Sequence, residues 1–359
     1  MIGVGDHTTD GTGAAPLGID VDIVTDWLTA RCDWMTGPFT WEKLPGGHSN
    51  LTYLVTEAGG RRFVLRRPPL GELLPSAHDM GREFKLVTAL WPTAVPVPEP
   101  IAFCDDKSVT GANFYAMGQV IGMSLYTRTE AENLVPEERR HGLGMSFIEV
   151  LAELHAIDPA NVGLADLGRP DAYVARQLKR WYSGWNASKA ADDVRVDALH
   201  DFLQERLPEQ GPGRVVHGDY GLHNCISNSE GIVAAVVDWE ISTLGDPLAD
   251  LAYALNTWEP VDEVDTGPMG RPTTAAGFPS RQELLTSYAE RTGADVSSID
   301  FYVAFNHWKT ACILAGVAAR YDAGQKSTEG IDVPRLRSRI DAAIGASTAA
   351  AGKLGYKAA

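Results

Sequence analysis

The sequence predicts an α+β chain in two lobes, a small antiparallel β lobe followed by a larger, mainly helical lobe. Short β-prone runs separated by glycine-rich turns fill the first part of the chain, which is typical of an antiparallel meander. A helical segment interrupts these runs after the third, and beyond the fifth run apolar residues recur at helical spacing. At 359 residues, the chain is long enough for one large domain or two lobes of ordinary size.

The amino-terminal lobe is expected to span residues 19–118 and to follow a disordered segment, residues 1–18. Asp20 is suited to cap the first helix, and Gly-Gly pairs mark turns between strands. The predicted elements are a helix with Ile23, Trp27 and Leu28 on its apolar face, strands over 41–44, 51–56 and 62–66, a helix over 78–91, and strands over 101–104 and 114–120. Five antiparallel strands with one inserted helix are the plan of a protein-kinase amino-terminal lobe.

Residues 118–122 are expected to form a hinge, and residues 123–346 the helical lobe. An Ala/Gly/Lys-rich tail, residues 347–359, is expected to be frayed. The predicted helices of this lobe cover 136–156, 171–185, 194–207, 247–257, 280–291, 299–320 and 333–344.

The composition indicates which kinds of partner and which cellular compartment to expect. Lys and Arg number 31 against 47 Asp and Glu, a net charge of −16, which argues against nucleic acid or anionic membranes as partners. This acidity is compatible with a cationic substrate, although an acidic surface alone accounts for it. Four widely separated cysteines suggest neither a zinc site nor a disulfide framework. With no signal peptide and no apolar run long enough to cross a membrane, we expect a cytoplasmic protein.

The motif with the most chemical content is His-Gly-Asp-Tyr-Gly-Leu-His-Asn, in which Asp219 stands five residues before Asn224. An apolar run over 232–237 then ends in Asp238. Phosphoryl transfer from ATP uses these groups in this order, a carboxylate that receives the hydroxyl proton and an amide and a second carboxylate that hold Mg²⁺. Each residue alone is typical of a turn or cap; their joint spacing predicts Asp219 as the base and Asn224 and Asp238 as metal ligands.

A second motif lies between two predicted strands of the β lobe. Gly46 and Gly47 permit close backbone approach, and Ser49 and Asn50 add polar groups that suit phosphate oxygens. A Gly-Gly pair alone is usually only a turn. We interpret this one as a phosphate-binding loop because a cationic strand end follows it.

That cationic strand end is Phe-Val-Leu-Arg, which places Arg66 where a phosphate-binding Lys is usual. A guanidinium can clamp phosphates and also form an ion pair with Glu83 on the following helix. Arg67 is the alternative. Alternation with Val64 along the strand favours Arg66.

Three further polar residues are expected to be structural. His217 is predicted to pack and hydrogen-bond beneath the catalytic loop rather than to take part in chemistry. In Gly-Asp-Pro-Leu-Ala-Asp-Leu-Ala, Asp246 is expected to cap a helix that begins at Pro247, and Asp250 to brace the catalytic loop one turn later.

Together these segments resemble the aminoglycoside phosphotransferase family over approximately residues 20–320. The matching stretches are Leu-Pro-Gly-Gly-His-Ser-Asn, Phe-Val-Leu-Arg, Arg-Glu-Phe, His-Gly-Asp-Tyr-Gly-Leu-His-Asn, Val-Val-Asp-Trp-Glu and Gly-Asp-Pro-Leu-Ala-Asp-Leu-Ala. The resemblance implies a bilobal protein-kinase-like fold, MgATP in the interlobe cleft, and phosphorylation of a small-molecule hydroxyl. It also implies that adenine contacts the hinge backbone near Gly118 and Val120.

The sequence differs from antibiotic-modifying members of the family in one motif that bears on the identity of the acceptor. Antibiotic-modifying members carry Lys where this chain has Arg66, and Val-Leu-Arg-Arg-Pro-Pro looks more like the kinase-like domains associated with acyl-CoA dehydrogenases. The resemblance therefore leaves open an aminoglycoside, a hydroxyacyl-CoA or another hydroxylated metabolite as acceptor.

Two classes of function remain open at this point, an ATP-dependent O-phosphotransferase and a nucleotide-binding pseudokinase that serves as a scaffold. The complete set of base and metal ligands favours the enzyme, and Arg66 in place of Lys is the feature that favours the scaffold. A protein kinase is disfavoured because seven residues between Asp238 and Asp246 leave no room for an activation segment. The oligomeric state is not legible in the sequence.

Overall fold

A computed structural model describes residues 16–44, 50–71, 79–188, 193–258, 271–324 and 333–357. The described part of the chain has the predicted α+β plan, a five-stranded sheet with one helix inserted after its third strand, followed by a mainly helical lobe. The amino-terminal elements are α1 (Val21–Thr29), β1 (Thr40–Lys43), β2 (Leu51–Thr56), β3 (Arg62–Arg67), α2 (Met80–Leu90), β4 (Pro100–Cys104), α3 (Lys107–Thr110) and β5 (Phe114–Gly118).

The sheet has the strand order β1-β2-β3-β5-β4, with every neighbouring pair antiparallel. Both of its faces are covered, which explains why β2 and β3 are buried almost throughout. Phe63 and Leu65 pack in a cluster with α1, whereas Val64 packs on the opposite face against Met80 of α2. Side chains alternate along a strand, so Arg66 lies on the α2 face with Val64.

Two details of this lobe differ from the sequence prediction. Ile23 is 45% exposed, and Val24 packs inward with Leu28 one helical turn later, so the buried face of the helix differs from the predicted face. The disorder predicted for residues 1–18 does not extend to its end. The carbonyl of Leu17 accepts a 2.7 Å hydrogen bond from the Tyr53 hydroxyl; residues 1–15 lie outside the described residues.

The carboxy-terminal lobe follows a connection over 119–122 that begins where β5 ends. Its elements are α4 (Arg128–Leu134), α5 (Glu137–Ala156), α6 (Tyr173–Ser188), α7 (Val194–Glu205), β6 (Arg214–Val216), a 3₁₀ turn (Leu222–Asn224), β7 (Cys225–Ser227), β8 (Val233–Val236), β9 (Thr243–Gly245), α8 (Pro247–Asn256), a 3₁₀ turn (Pro272–Thr274), α9 (Arg281–Thr292), α10 (Ile299–Asp322) and α11 (Val333–Lys353).

Four short strands in this lobe lie on either side of the loop that carries Asp219. β6 pairs with β9 and β7 pairs with β8, each antiparallel. The apolar run that precedes Asp238 predicted β8, but β6, β7 and β9 have only three residues each, too few for a repeating pattern. Met123 and Ser227 exchange two 2.9 Å backbone hydrogen bonds, which tie the chain beyond the hinge to β7.

The prediction of a frayed tail is wrong for residues 347–353. α11 continues to Lys353 and packs along α10, with Ser347, Ala350 and Ala351 buried. The Ser347 hydroxyl also donates a 2.8 Å hydrogen bond to the carbonyl of Ala304. Alanine has the highest helix propensity and permits close helix packing, so the Ala-rich composition that suggested a loose tail instead supports a packed helix.

The four cysteines are buried and unpaired, in agreement with the prediction that they form no disulfide. Within the described ranges, none of the helices combines the length and the apolar character needed to cross a membrane.

The packing of α11 is testable with two neighbouring alanines. Ala351→Glu places a carboxylate at a fully buried position and should lower the free energy of unfolding by about 2–4 kcal/mol. Ala349→Glu, at an exposed position of the same helix, is the matched control and should change it by less than about 0.5 kcal/mol. Chemical denaturation measures both. Equal effects would show that this end of α11 does not pack on α10.

Candidate active site

The loop that carries Asp219 begins directly after β6 and is held by the carboxylate of Asp250 on α8. Asp250 accepts hydrogen bonds from the backbone N–H groups of His217, at 2.7 Å, and Gly218, at 2.8 Å. His155 adds a ring nitrogen 3.3 Å from the same carboxylate. Gly218 has a φ of +84°, a conformation that favours glycine and turns the chain toward Asp219. The predicted bracing role of Asp250 is confirmed, as is the cap formed by Asp246, which accepts a 3.0 Å hydrogen bond from the Leu248 N–H.

His217 lies beneath the loop and is fully buried. Its Nε2 is 3.0 Å from the carbonyl of Val237, and its Nδ1 accepts a 3.3 Å hydrogen bond from the N–H of Asp219. A carbonyl requires a donor and an N–H requires an acceptor, so Nε2 donates to the carbonyl of Val237 and Nδ1 accepts from the N–H of Asp219. The predicted structural role of His217 is therefore confirmed.

Asp219 is held on both carboxylate oxygens. Its Oδ1 accepts a hydrogen bond from the Tyr253 hydroxyl and lies 3.4 Å from His223 Nε2, while its Oδ2 accepts a 3.1 Å hydrogen bond from Asn224. Burial alone would raise the pKa of Asp219, but the partners His223 and Tyr253, with His217 nearby, lower it to about 2. The carboxylate is therefore ionised at neutral pH and fixed in one orientation.

Asn224 and Asp238 lie at the same end of the β7–β8 hairpin. The register pairs Cys225 with Val236, and the Val237 N–H donates a 2.9 Å hydrogen bond to the Asn224 carbonyl. The Asn224 side chain donates through Nδ2 to the backbone carbonyl and carboxylate of Asp219. Within the described residues no hydrogen bond goes to its Oδ1, and an amide oxygen is an acceptor.

Asp238 has a left-handed backbone conformation, with a φ of +66°. Asp is one of the few residues other than Gly that tolerate this region, and strain of this kind is often found at functional positions. Arg66 Nη2 lies 2.6 Å from Asp238 Oδ1, and Arg66 Nε lies 3.1 Å from Glu83 Oε2. Glu83 also accepts a 3.0 Å hydrogen bond from the Tyr115 hydroxyl.

The guanidinium in this cluster belongs to Arg66, as alternation along β3 favours. Burial would lower its pKa, but the carboxylates of Glu83 and Asp238 raise it and keep the group charged. Arg67 lies on the other face of the strand, where its guanidinium donates to the backbone carbonyls of Gly18 and Thr110.

Glu240 is a residue that the sequence analysis did not single out. One carboxylate oxygen each of Glu83, Asp238 and Glu240 lie within 4.8 Å of one another. Asn50, predicted to face phosphates, donates a 3.5 Å hydrogen bond to Glu240. Burial, followed by the charge of Asp238, raises the pKa of Glu240. The sequence signal that could have identified Glu240 is its position two residues after Asp238 in Val-Val-Asp-Trp-Glu.

The remaining predicted nucleotide contacts stay predictions. Gly46, Gly47 and Ser49 lie outside the described residues. The N–H of Gly118 donates to the carbonyl of Glu99 at 2.8 Å, and Val120 packs beside the β7–β8 hairpin.

Next to Asp219 opens a cleft of about 360 Å³. Tyr253 and His223, which contact the Asp219 carboxylate, form one wall, and residues of α10 and α11 form another. Tyr253 was not singled out either, because only the packing of α8 brings it to a loop 34 residues earlier in the chain.

The bracing by Asp250 generates a pH-dependent prediction. Burial acts to raise its pKa, but His155, the nearby His217 and the Gly218 N–H lower it overall. Asp250→Asn should lower the free energy of unfolding by about 2–3 kcal/mol at pH 7. A lowered pKa gives stability that is present above the unfolded value of about 4 and lost as pH falls through the folded value, so the difference should shrink below about pH 4.

Denaturant unfolding between pH 7 and pH 3 measures this difference. Asp201→Asn, on an exposed side chain, is the control and should have little effect at any pH. A cost for Asp250→Asn that stays constant down to pH 3 would contradict an ionised Asp250 as the brace.

Comparison with known proteins gives the family and the fold of the chain. The sequence profile of the phosphotransferase enzyme family (APH) matches residues 40–274. The chain is 35% identical over 297 residues to mouse acyl-CoA dehydrogenase family member 10, a match that covers 82% of this chain and 28% of that protein. Chicken family member 11 is also 35% identical, over 82% of this chain and 38% of its own length. The chain thus spans roughly a third of the length of these curated relatives.

Among solved structures, one from Ralstonia eutropha, named as a candidate aminoglycoside phosphotransferase, has a TM-score of 0.76 and 29% identity and covers 91% of this chain and 98% of its own. A ternary complex of aminoglycoside phosphotransferase APH(4)-Ia with AMP-PNP and hygromycin B has a TM-score of 0.58 at 17% identity, over 90% of this chain and 98% of its own. These likenesses confirm the predicted kinase-like bilobal fold. The chain belongs to the phosphotransferase enzyme family, as its motifs predict.

Proposed function

We propose that this chain is an ATP-dependent O-phosphotransferase that transfers the γ-phosphoryl group of ATP to a hydroxyl of a small molecule. The observation that carries the proposal is the convergence of Asp219, Asn224 and Asp238. A loop braced by Asp250 and the end of the β7–β8 hairpin bring the three together beside an open cleft.

In this proposal Asp219 is the base. Its ionised carboxylate orients the acceptor hydroxyl and takes its proton as the hydroxyl oxygen bonds to the γ-phosphorus and the bond to the ADP oxygen breaks. The hydrogen bonds from Tyr253 and Asn224 hold the carboxylate in one rotamer, so that little ordering remains to be done when an acceptor binds.

The oxygen atoms of the proposed metal ligands suit a magnesium ion. The Asn224 Oδ1 and the Asp238 carboxylate are hard oxygen ligands, and both lie at one end of one hairpin. A magnesium ion bound there would offset the charge of the phosphates. Arg66 would contact phosphate, held in place by Glu83, and the rest of the proposed nucleotide site consists of Gly46, Gly47, Ser49, Asn50, Gly118 and Val120.

Two kinds of acceptor receive support from the comparisons. The names of the curated relatives favour an acyl thioester with a free hydroxyl, and the fold shared with the hygromycin B complex favours an aminoglycoside. Both offer a hydroxyl to Asp219.

Asp219→Asn should lower kcat at least about 1,000-fold, because the amide cannot accept the proton. Nucleotide affinity should change less than about threefold, since the amide oxygen still accepts from Tyr253. ATP consumption with hydroxyacyl thioesters, aminoglycosides and simple alcohols measures kcat, and calorimetry measures MgATP binding. Asp201→Asn is the surface control. Should wild type bind MgATP yet consume none with any acceptor, the scaffold interpretation would replace the enzyme.

Asp238→Asn tests the metal site. With one charged ligand removed, magnesium should strengthen ATP binding about 10- to 100-fold less than in wild type, as measured by calorimetry with magnesium and with EDTA. Glu240→Gln removes a neighbouring carboxylate that the proposal does not assign to the ion and should change the magnesium effect less than about threefold. A larger loss for Glu240→Gln than for Asp238→Asn would reassign the ligand.

A further inference from the structure

The two oxygens of the Asp219 carboxylate have different surroundings. Oδ1 accepts a hydrogen bond from the Tyr253 hydroxyl and lies 3.4 Å from His223 Nε2. Oδ2 accepts one hydrogen bond from the described residues, a 3.1 Å bond from Asn224. Each carboxylate oxygen has two lone pairs. Tyr253 and His223 together take up both acceptor positions of Oδ1, whereas Oδ2 has one acceptor position left among the described residues.

Tyr253 is held as a permanent donor to Oδ1. It lies three residues after Asp250 on α8, the helix whose carboxylate holds the backbone of the same loop. Burial, followed by the charge of Asp219, raises the pKa of the Tyr253 phenol, so the hydroxyl stays protonated at neutral pH. The ammonium group of Lys309 on α10 lies 5.8 Å from the centroid of the phenol ring, within the range of a cation–π contact. One helix thus fixes both the loop and one oxygen of its carboxylate.

The imidazole of His223 is placed by the residues around it. A Cβ atom on Gly221 would lie 2.4 Å from His223 Cε1 and 2.6 Å from Nδ1, so the ring lies directly against the backbone of Gly221. The rings of Tyr126 and His223 are also neighbours, with 6.2 Å between their centroids. Gly221 has an extended backbone with a φ of −161°, which any residue can adopt. The absence of a side chain at Gly221 therefore provides room for the imidazole, not an unusual backbone conformation.

The open position of Oδ2 is on the side of the carboxylate where a phosphate is expected. Asn224 contacts Oδ2 through its amide nitrogen, and the oxygen of the same amide is a proposed magnesium ligand. A hydroxyl at Oδ2 would therefore lie next to a metal-bound phosphate. A hydroxyl at Oδ1 would instead have to displace Tyr253 or His223, both of which line the cleft. Because in-line transfer requires the acceptor oxygen to face the phosphorus, Oδ2 suits the reaction better than Oδ1.

We propose that Tyr253 and His223 are positioning residues that occupy Oδ1 of Asp219, so that Oδ2 receives the proton of the acceptor hydroxyl. The inference rests on the proposed transfer reaction. As the acceptor oxygen bonds to the γ-phosphorus and the bond to the ADP oxygen breaks, the hydroxyl proton moves to Oδ2, which later releases it to water. Both residues act through Asp219, so their loss should lower kcat and leave nucleotide binding largely intact.

Steady-state kinetics with MgATP and a panel of hydroxyacyl thioesters, aminoglycosides and simple alcohols tests the two residues. Tyr253→Phe should lower kcat about 10- to 100-fold and His223→Ala about 10-fold, with KM for MgATP changed less than about threefold. His223→Gln keeps an N–H donor in the place of Nε2 and should recover most of the loss. Tyr302→Phe is the matched control, since it removes a buried 2.7 Å hydrogen bond to another carboxylate, that of Asp246, and should change kcat less than about threefold. Equal kcat values for the two Tyr→Phe variants would overturn the proposal.

Gly221→Ala tests the placement of His223 without changing the imidazole itself. The added methyl group would meet the imidazole first, so kcat should fall about 10-fold, and the double variant with His223→Ala should be no slower than either single variant. Gly184→Ala is the control, because a Cβ atom there meets no atom within 4 Å. A normal kcat for Gly221→Ala, or effects of the two substitutions that multiply in the double variant, would contradict the placement of His223.

A crystal structure of the wild type with magnesium and AMP-PNP tests the choice of oxygen without any turnover. The water nearest the γ-phosphorus should lie within about 3 Å of Oδ2, with Tyr253 and His223 still at Oδ1. A water at Oδ1 in their place would overturn the proposal. The expected occupancy of both oxygens without ADP formation from any acceptor would refute the proposed function alone. Transfer that Tyr253→Phe and His223→Ala leave unchanged would refute the positioning roles alone.

Discussion

The arrangement of the site depends on one buried guanidinium. Arg66 extends from β3 between Glu83 of α2 and Asp238 at the end of the β7–β8 hairpin, and its side chain is only 8% exposed. A buried cation is tolerated when anionic partners compensate for the lost hydration, and here the two carboxylates come from different lobes. The sheet, the inserted helix and the hairpin therefore share one electrostatic contact, which couples the proposed phosphate-binding side of the cleft to the proposed metal site.

Two carboxylates in the carboxy-terminal lobe, those of Asp250 and Asp219, have different roles because their partners and their exposure differ. Asp250 is enclosed by backbone N–H groups and His155, all of which belong to the framework, so it braces the loop. Asp219 accepts from the side chains of Tyr253 and Asn224 and stands beside an open cleft. Both pKa values are lowered, yet only Asp219 is placed where a ligand can reach it. Access, rather than the direction of the pKa shift, separates the structural from the proposed catalytic carboxylate.

The features that the sequence predicted correctly are those that depend on the spacing of nearby residues. Alternation along β3 identified Arg66 rather than Arg67 as the residue that pairs with Glu83 and Asp238. The spacing of Asp219, Asn224 and Asp238 predicted that these residues lie close together, and they do. Tyr253 could not be found in this way, because only the packing of α8 against the catalytic loop makes it a partner of Asp219. The prediction of a frayed tail after residue 346 was wrong for a related reason. An alanine in the sequence does not show whether another helix will pack against it.

Of the sequence properties considered, net charge gave the least information about the substrate. A net charge of −16 is compatible with a cationic substrate and argues only against nucleic acid and anionic membranes, because a sum over 359 residues does not show where on the protein the charges lie. The field that a substrate experiences is set by the few charges within a Debye length of it, about 8 Å at physiological ionic strength. Helix register decides which charges those are, and in α11 it turns Arg339 into the cleft and Arg337 out of it. A chain that is acidic overall can therefore contain a cleft whose described lining has cationic but no anionic side chains.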